Sequence, residues 1–230
     1  MNLRSNFRLP PPDLPVGWVA LAALLVLAGC GHQPAFDDPL RTGPFYQPRN
    51  FVGEPRLPAG MRRVVVLPVS GGNVAQPETA AAFDAVVIAA LQRQARFEVV
   101  ALSRADCQRR FDVAEFASTA PLPHGFLDTL ARAHAADGVI FVDLTVFHPI
   151  RPLTLGVSAK LAAVVDSRLV WACDEVFSTA DPAVANSARR HFLQTKMGAP
   201  PVDLSRGVLL SPNQFGAYVA DAVFRTLPPR

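Results

Sequence analysis

The positions of apolar residues predict alternating strands and helices from about residue 62 onward. Short β-branched or apolar runs predict strands at 64–67, 97–100, 139–147, 155–166 and 169–177. The run at 139–147 is nearly uninterrupted, which is typical of a central strand buried on both faces. Every second residue from 155 to 165 is apolar, and a polar turn at 166–168 precedes the returning run. The last two strands therefore predict a long antiparallel hairpin.

Apolar residues at helical spacing predict helices between and after these strands. The predicted helices begin at Pro77, cover 103–117 and 126–136, and begin again at Pro182 and Pro212. Proline suits the first turn of a helix, where its missing N–H has no partner to lose. Residues 198–207 are predicted to form a loop. The order predicts a single α/β domain over 62–230, three-layer-like, with a mixed sheet and the long hairpin.

The N-terminus carries an apolar run that ends in a cysteine. Arg4 and Arg8 precede an uncharged run at 16–28, which is shorter than the roughly 20 residues of a membrane-spanning helix and is typical of a signal peptide. The run ends in LAGC, which resembles the lipobox of bacterial lipoproteins. The resemblance implies a signal peptide at 1–29, cleavage between Gly29 and Cys30, and lipid attachment to the Cys30 thiol. An ordinary signal peptide and an uncleaved anchor are the alternatives.

The residue that follows Cys30 indicates in which membrane the protein is anchored. It is Gly31, not the aspartate that resembles an inner-membrane retention signal in Gram-negative bacteria. We therefore expect an outer-membrane protein, lipid-anchored on the periplasmic face. We therefore expect the protein to contact the membrane through its lipid alone. Two or three acyl chains hold such a protein more firmly than one.

Residues 30–61 are rich in proline. Six prolines fall in this stretch, and proline favours extended conformations without backbone donors. The stretch therefore predicts a tether that would span on the order of 100 Å if fully extended. Its aromatic residues Phe36, Phe45, Tyr46 and Phe51 indicate that parts of it dock on the domain or on a partner.

Composition and cysteine count limit the possible partners of the protein and the possible states of its cysteines. Half of the residues are apolar, enough for a real core, and the net charge is only +3 without a dense Lys/Arg run, which argues against a nucleic-acid partner. If Cys30 carries lipid, Cys107 and Cys173 remain. In an oxidising compartment these two either form a disulfide or lie apart as small buried residues.

Several segments together resemble a group of bacterial envelope domains. They are the strand RVVVLP at 63–68, the strand FEVV at 97–100, the helix end ADGVI at 136–140, and a hairpin whose second strand carries Trp171. The group includes the amino-terminal domain of the TolB translocation protein, the curli-secretion lipoprotein CsgG and the penicillin-binding-protein activator LpoB. The resemblance covers about residues 62–226 and implies binding or assembly work with an envelope protein partner.

Candidate catalytic residues do not form a recognisable motif. His134 and His191 lie on helical stripes and are interpreted as core or boundary residues, and Asp143 lies within the central strand, where a charge needs a partner. The loop at 70–73 (SGGN) has glycines that present amides to an anion, but it lacks the P-loop lysine. No zincin motif or nucleophile elbow occurs.

The leading hypothesis is therefore a protein-binding or assembly factor of the envelope, not an enzyme and without a cofactor. One rival is a periplasmic small-ligand binder or enzyme that uses the loops at 70–73 and 148–152. It predicts a deep pocket with convergent polar groups at the strand ends. The other rival is an oligomeric export subunit.

Overall fold

A mixed six-stranded sheet organises the part of the chain that the computed structural model describes, residues 38–196 and 201–230. Its strands are β1 (Phe51–Gly53), β2 (Arg63–Val66), β3 (Glu98–Ala101), β4 (Gly138–His148), β5 (Thr154–Ala163) and β6 (Leu169–Ser178). They lie side by side in the order β1-β6-β5-β4-β2-β3. The α/β fold with a mixed sheet is confirmed, and β4 is central as its apolar run predicts.

The helices begin where the sequence places caps and prolines. They are α1 (Pro77–Gln94), α2 (Arg104–Phe111), α3 (Phe126–His134), α4 (Pro182–Thr195) and α5 (Pro212–Phe224). The Asp181 side chain accepts a hydrogen bond from the Ala183 amide at 2.8 Å, which caps α4. α2 is shorter than the predicted 103–117 because Asp112 adopts a left-handed conformation (φ 62°) and ends the helix. The predicted loop at 198–207 contains a 3₁₀ helix, Val202–Leu209.

Strand direction divides the sheet into two halves. β2 runs parallel to both β3 and β4, whereas the pairs β4–β5, β5–β6 and β6–β1 are antiparallel. The predicted hairpin is thus formed by β5 and β6. Its first strand ends at Ala163, two residues before the predicted apolar face ends. Val165 is 95% exposed in the connecting turn, so its place in the apolar series does not correspond to burial.

Helices cover both faces of the sheet and give it three layers. Val64 and Val66 of β2 join the core under α1, α4 and α5, while Val65 and the adjoining Leu67 join a second, smaller core under α2 and α3. This alternation follows from the two-residue period of a strand. The three-layer arrangement agrees with the predicted architecture.

The two cysteines lie in these two different cores. Cys107 belongs to the core under α2 and α3, and Cys173 belongs to the core on the opposite face of the sheet. Both thiols are free, so the possible disulfide between them is not formed. The sheet separates the two side chains, and the alternative of two small buried residues describes them correctly. Burial raises the pKa of each thiol to about 11, which keeps both protonated.

The domain begins earlier than residue 62. Pro39–Arg230 forms one compact unit, and β1 within the proline-rich stretch pairs with β6 through Phe51–Cys173 and Gly53–Trp171. The docking of aromatic residues expected for this stretch therefore takes place from about residue 39. Gly29, Cys30 and the first residues of the predicted tether lie outside the described residues. Among the described residues, no helix has the length and hydropathy needed to cross a membrane.

Candidate functional site

A cleft lies between the proline-rich segment at 45–51, α4 and α5, and we call it the helix-side cleft. Its volume is about 550 Å³. Arg190 and Arg225 supply positive charge to its walls, and Phe45 and Phe51 supply aromatic surface. The Arg190 guanidinium stacks on Phe45, with 4.6 Å between Cζ and the ring centroid. A volume of this size and a mixture of apolar and polar walls are typical of a ligand site.

A buried carboxylate organises the charges behind the cleft. Asp221 of α5 is 7% exposed and accepts hydrogen bonds from Gln94 (Nε2–Oδ1, 3.2 Å), Arg93 (Nε–Oδ1, 3.4 Å) and Arg225. His191 Nε2 lies 3.7 Å from Asp221 Oδ2, too far for a hydrogen bond. Burial lowers the pKa of His191 below its ordinary 6.5, and the partial opposition of Asp221 does not restore it. The imidazole is therefore neutral at pH 7.

Glu175 of β6 holds the segment that forms one wall of the cleft. Its carboxylate accepts hydrogen bonds from the amides of Arg49 (2.8 Å) and Asn50 (3.1 Å) and from the Tyr46 hydroxyl (2.8 Å). Tyr46 also packs edge-on against Phe177, with ring centroids 5.4 Å apart. Burial alone would raise the pKa of Glu175, but the three donors outweigh it, and the pKa lies below its ordinary 4.5.

We expect Glu175→Gln to lower the free energy of unfolding by about 1–2 kcal/mol at pH 7, because one amide oxygen replaces two charged acceptors. The wild-type contribution is complete above pH 4.5, since the folded-state pKa is depressed, and it disappears as the pH falls through that lowered pKa. Urea unfolding of the full chain at pH 7 and at stepwise lower pH measures both effects. The difference between the variant and the wild type should shrink as the pH falls through the lowered pKa of Glu175.

Asp174→Asn is the matched control, because this neighbouring carboxylate on β6 is exposed. It should leave the free energy of unfolding nearly unchanged at both pH values. Trypsin cleavage after Arg49 reports the segment itself and should accelerate in Glu175→Gln but not in Asp174→Asn. Equal cleavage rates in wild type and Glu175→Gln would show that the carboxylate does not hold the wall.

A second surface lies on the opposite side of the sheet, on strands that α2 and α3 do not cover. We call it the open hairpin face, and its residues are Val52, Ser158, Lys160, Ala172, Asp174 and Val176. Cross-strand pairing puts them on one face: Lys160 opposite Ala172, and Ser158 opposite Asp174. Their neighbours Ala159 and Cys173 point the other way, into the core. A shallow cavity of about 360 Å³ marks the border of this face with β4.

The loop at 70–73 is partly engaged by the protein. The Gly71 amide donates to Glu115 Oε1 at 3.0 Å, and the Ser70 amide donates to the Val142 carbonyl at 2.9 Å. These two amides are therefore not free to face an anion. A Cβ on Gly71 would lie 2.8 Å from the Ala75 carbonyl oxygen, which explains the glycine.

The predicted candidates Asp143, His134 and the loop at 148–152 lie outside the helix-side cleft. Both oxygens of Asp143 accept the Ser118 amide, at 3.0 and 3.1 Å, which supplies the partner that a charge in a central strand needs. His134 lies half-buried at the end of α3. In the loop at 148–152, His148 is exposed and Ile150 is 81% exposed. Within residues 38–196 and 201–230, no three His, Cys, Asp or Glu side chains are placed to hold a metal ion.

The helix-side cleft was not predicted as a site. Of its residues, the sequence analysis singled out His191 only as a core or boundary histidine, which fits its 9% exposure, and Phe45, Tyr46 and Phe51 only as docking aromatics. The cleft joins segments far apart in sequence, and no local spacing connects them. The one local signal was the i, i+4 pair Asp221 and Arg225. The small-ligand rival predicted convergent polar groups, and these exist beside the helices instead of at the strand ends.

Comparison with known proteins finds only distant similarity. No family model matches the chain, and no curated protein matches its sequence. A PelC dodecamer from Paraburkholderia phytofirmans is similar at a TM-score of 0.45 and 14% identity, over 78% of this chain and 96% of that one. The lipoprotein GNA1162 from Neisseria meningitidis has a TM-score of 0.37 and 14% identity, over 50% of this chain and 79% of that one. The LpoB C-terminal domain from Salmonella enterica has a TM-score of 0.34 and 12% identity, over 50% of this chain and 82% of that one. The neighbours thus include bacterial lipoproteins, and likeness at this level does not extend to function.

Proposed function

We propose that this chain is an outer-membrane lipoprotein whose periplasmic α/β domain binds a protein partner in envelope assembly or secretion, without enzymatic activity of its own. The observation that carries the binding role is the open hairpin face, where, among the described residues, Val52 and Val176 lie outside both cores and are exposed. The anchoring role rests on the LAGC sequence that ends at Cys30.

Anchoring predicts a specific effect of Cys30→Ser. The hydroxyl does not accept the diacylglycerol, so we expect the variant to lose lipid label and to leave the membrane fraction. Fractionation of cells grown with labelled palmitate measures both outcomes. Cys107→Ser is the control, because its thiol is buried inside the domain and should not affect labelling. Label that persists in Cys30→Ser would contradict the anchor.

The chemistry of the open hairpin face fits a separable partner. Val52 is 66% exposed and Val176 is 48% exposed, and Lys160 and Asp174 provide opposite charges between them. Transient interfaces have about the polarity of ordinary protein surface, whereas permanent dimer interfaces are larger and more apolar. This face has the mixed character of the first class. We therefore assign it to a different protein instead of a permanent second copy.

Three carboxylates with hydrogen-bond partners support a binding role over catalysis. Asp143 is held by a backbone amide, and Asp221 is held by two arginines and a glutamine. Glu175 is likewise held by three donors. Each of these groups has a partner that explains its position in the fold.

Site-specific photocrosslinking in living cells tests the partner-binding role. A photoreactive side chain at position 52 or 176 should give one discrete adduct with another envelope protein. The same side chain at position 210 is the matched control, because Leu210 is 63% exposed but lies beside the helices on the other side of the sheet. It should give no such adduct.

The mass and identity of the adduct decide between the alternatives. An adduct twice the mass of this chain would show that the face joins copies of it, which overturns the hetero-partner assignment in favour of an oligomeric subunit. The absence of any adduct at positions 52 and 176, or the same adduct at 210, would also overturn it. A heterologous adduct at both positions, abolished by Cys30→Ser, would support the anchored form as the active one.

A further inference from the structure

The helix-side cleft combines fixed positive charge with unused hydrogen-bonding groups. Arg190 stacks on Phe45 and, among the described residues, has no carboxylate within ion-pair distance. Arg225 is 70% exposed and uses one nitrogen for Asp221, which leaves other donors of its guanidinium open. Within residues 38–196 and 201–230, no carboxylate lines the cleft itself. The cleft therefore presents two guanidinium groups to whatever enters it.

Summing the charges around the cleft keeps the balance positive. α4 contributes Arg190 and the neutral His191, α5 contributes Arg225 and Asp221, and α1 contributes Arg93. The nearby Glu175 carboxylate is taken up by Tyr46 and two backbone amides. Three guanidinium groups thus outnumber two engaged carboxylates, Asp221 and Glu175. An anion is the ligand charge that this arrangement favours.

Two buried polar atoms provide an independent sign of a ligand. His191 is 9% exposed and Tyr218 is 5% exposed, both line the cleft, and neither His191 Nε2 nor Tyr218 Oη has a hydrogen-bond partner among the described residues. Burial raises the pKa of Tyr218 to about 12, partly opposed by the nearby Ser187 hydroxyl, which does not meet hydrogen-bond geometry. Unpartnered polar atoms in a protein interior cost free energy, and a bound molecule would supply the missing partner.

The cleft also has apolar surface for the body of a ligand. Phe45 is 37% exposed and Phe51 is 48% exposed, an unusual exposure for phenylalanine. A bare inorganic ion would use the arginines and leave these rings unused. A volume of about 550 Å³ is also much larger than such an ion requires.

We propose that the helix-side cleft binds a small organic acid, with its carboxylate at Arg190 and Arg225 and a flat or ring-shaped body against Phe45 and Phe51. The His191 and Tyr218 side chains complete the hydrogen bonding at the buried end. This site lies on the side of the sheet opposite to the open hairpin face, so it does not depend on the proposed partner binding.

Calorimetric titration of the full chain in mild detergent tests the site with phenylacetate as the probe. Phenylacetamide has the same ring without the charge, acetate has the charge without the ring, and inorganic phosphate is the bare ion. Phenylacetate should bind at least tenfold more tightly than each of the three. N-acetylphenylalanine separates the two sources of such a carboxylate, since it carries one as a peptide terminus does, and the tighter of the two acids identifies the source.

Variants locate the binding. Arg190→Gln should weaken phenylacetate binding about tenfold, whereas Arg132→Gln, an exposed position on α3, should not change it. Tyr218→Phe should weaken binding several-fold without lowering the thermal unfolding temperature, because the deleted hydroxyl has no partner to lose. A merely structural hydroxyl would lower that temperature instead.

Three results would overturn the proposal. Equal affinity for phenylacetate and phenylacetamide would remove the role of the arginines. Tighter binding of phosphate than of phenylacetate would remove the role of the rings. No measurable heat with phenylacetate or N-acetylphenylalanine at millimolar concentration, in a chain whose unfolding is otherwise normal, would mean that the cleft is not an organic-acid site.

Discussion

Trp171→Ala should lower the free energy of unfolding by about 3–5 kcal/mol, the range for truncation of a fully buried aromatic residue. The Trp171 side chain is 0% exposed and lies on β6 between β1 and β5. Its indole N–H donates to the Thr226 hydroxyl at 3.1 Å, and its ring packs against Phe224 with centroids 6.1 Å apart. Truncation would leave a cavity where the hairpin, the N-terminal strand and α5 meet.

The measurement is chemical unfolding followed by circular dichroism, since removal of the indole also removes a fluorescent reporter. Leu169→Ala is the matched control on the same strand, because Leu169 is 50% exposed and should change the free energy by a few tenths of a kcal/mol. Thr226→Val should remove only the hydrogen bond and cost about 1 kcal/mol. If Trp171→Ala and Leu169→Ala cost the same, the indole is not packed as described.

Such a loss would be a large fraction of a stability that is typically about 5–15 kcal/mol. We also expect the loss of the indole to loosen the proline-rich segment. Gly53 of this segment lies opposite Trp171, and a Cβ at Gly53 would come within 3.1 Å of the indole. Trypsin cleavage after Arg49 should therefore accelerate in Trp171→Ala. The same cleavage reports Glu175→Gln, so the two variants test one docked segment from two sides.

The sequence predicted the sheet well because its strands have strong local patterns. The two-residue period of β5 and the uninterrupted apolar run of β4 each follow from how many faces of the strand are buried. The start of α4 follows from Asp181 and Pro182, which have local capping chemistry. Each of these signals lies within about ten consecutive residues.

What the sequence did not predict depends on distant partners. β1 has three residues in a stretch rich in proline, and it forms a strand only because β6 offers an edge. Tyr46 and Glu175 are 129 positions apart, and nothing in either local pattern indicates their hydrogen bond. The helix-side cleft depends on that bond and on the packing of α4 against α5, so tertiary contacts alone create it.

The contacts at the ends of the parallel strands also join residues that are distant in sequence. In open α/β sheets, ligands commonly bind beyond the carboxyl ends of parallel strands, where successive connections leave in opposite directions. Here β2 and β4 run parallel, and Arg104, Asp84 and Glu115 hold the loop that follows β2. These residues therefore have a structural role, which a substitution can measure.

Arg104→Met should lower the free energy of unfolding by about 2–3 kcal/mol. The Arg104 guanidinium donates to Asp84 (Nε–Oδ2, 2.8 Å), to the Val69 carbonyl (2.6 Å) and to Glu115, and its side chain is only 20% exposed. Removing one partner of a buried ion pair typically costs 3–5 kcal/mol, because the remaining charges lose their compensation. The expected value is lower because Asp84 and Glu115 are each 26% exposed and keep some contact with water.

Arg109→Met on the same helix is the matched control. Arg109 is 74% exposed and pairs with Asp106 one turn away, so its replacement should leave the unfolding free energy essentially unchanged. Arg104→Lys should recover less than half of the loss, since an ammonium group does not reproduce the planar fork that reaches three acceptors at once. Full recovery with lysine would mean that charge alone matters at this position.

A double-mutant cycle isolates the interaction from general effects on packing. Asp84 bonds both to Arg104 and to the Val69 amide, so Asp84→Asn alone should also destabilise the chain. Residues that share one network are not additive, and the loss in the double variant should be at least 0.5 kcal/mol smaller than the sum of the two single losses. Additive losses would show that Arg104 and Asp84 stabilise the fold separately, and that the loop after β2 is held by the backbone contacts of each residue alone.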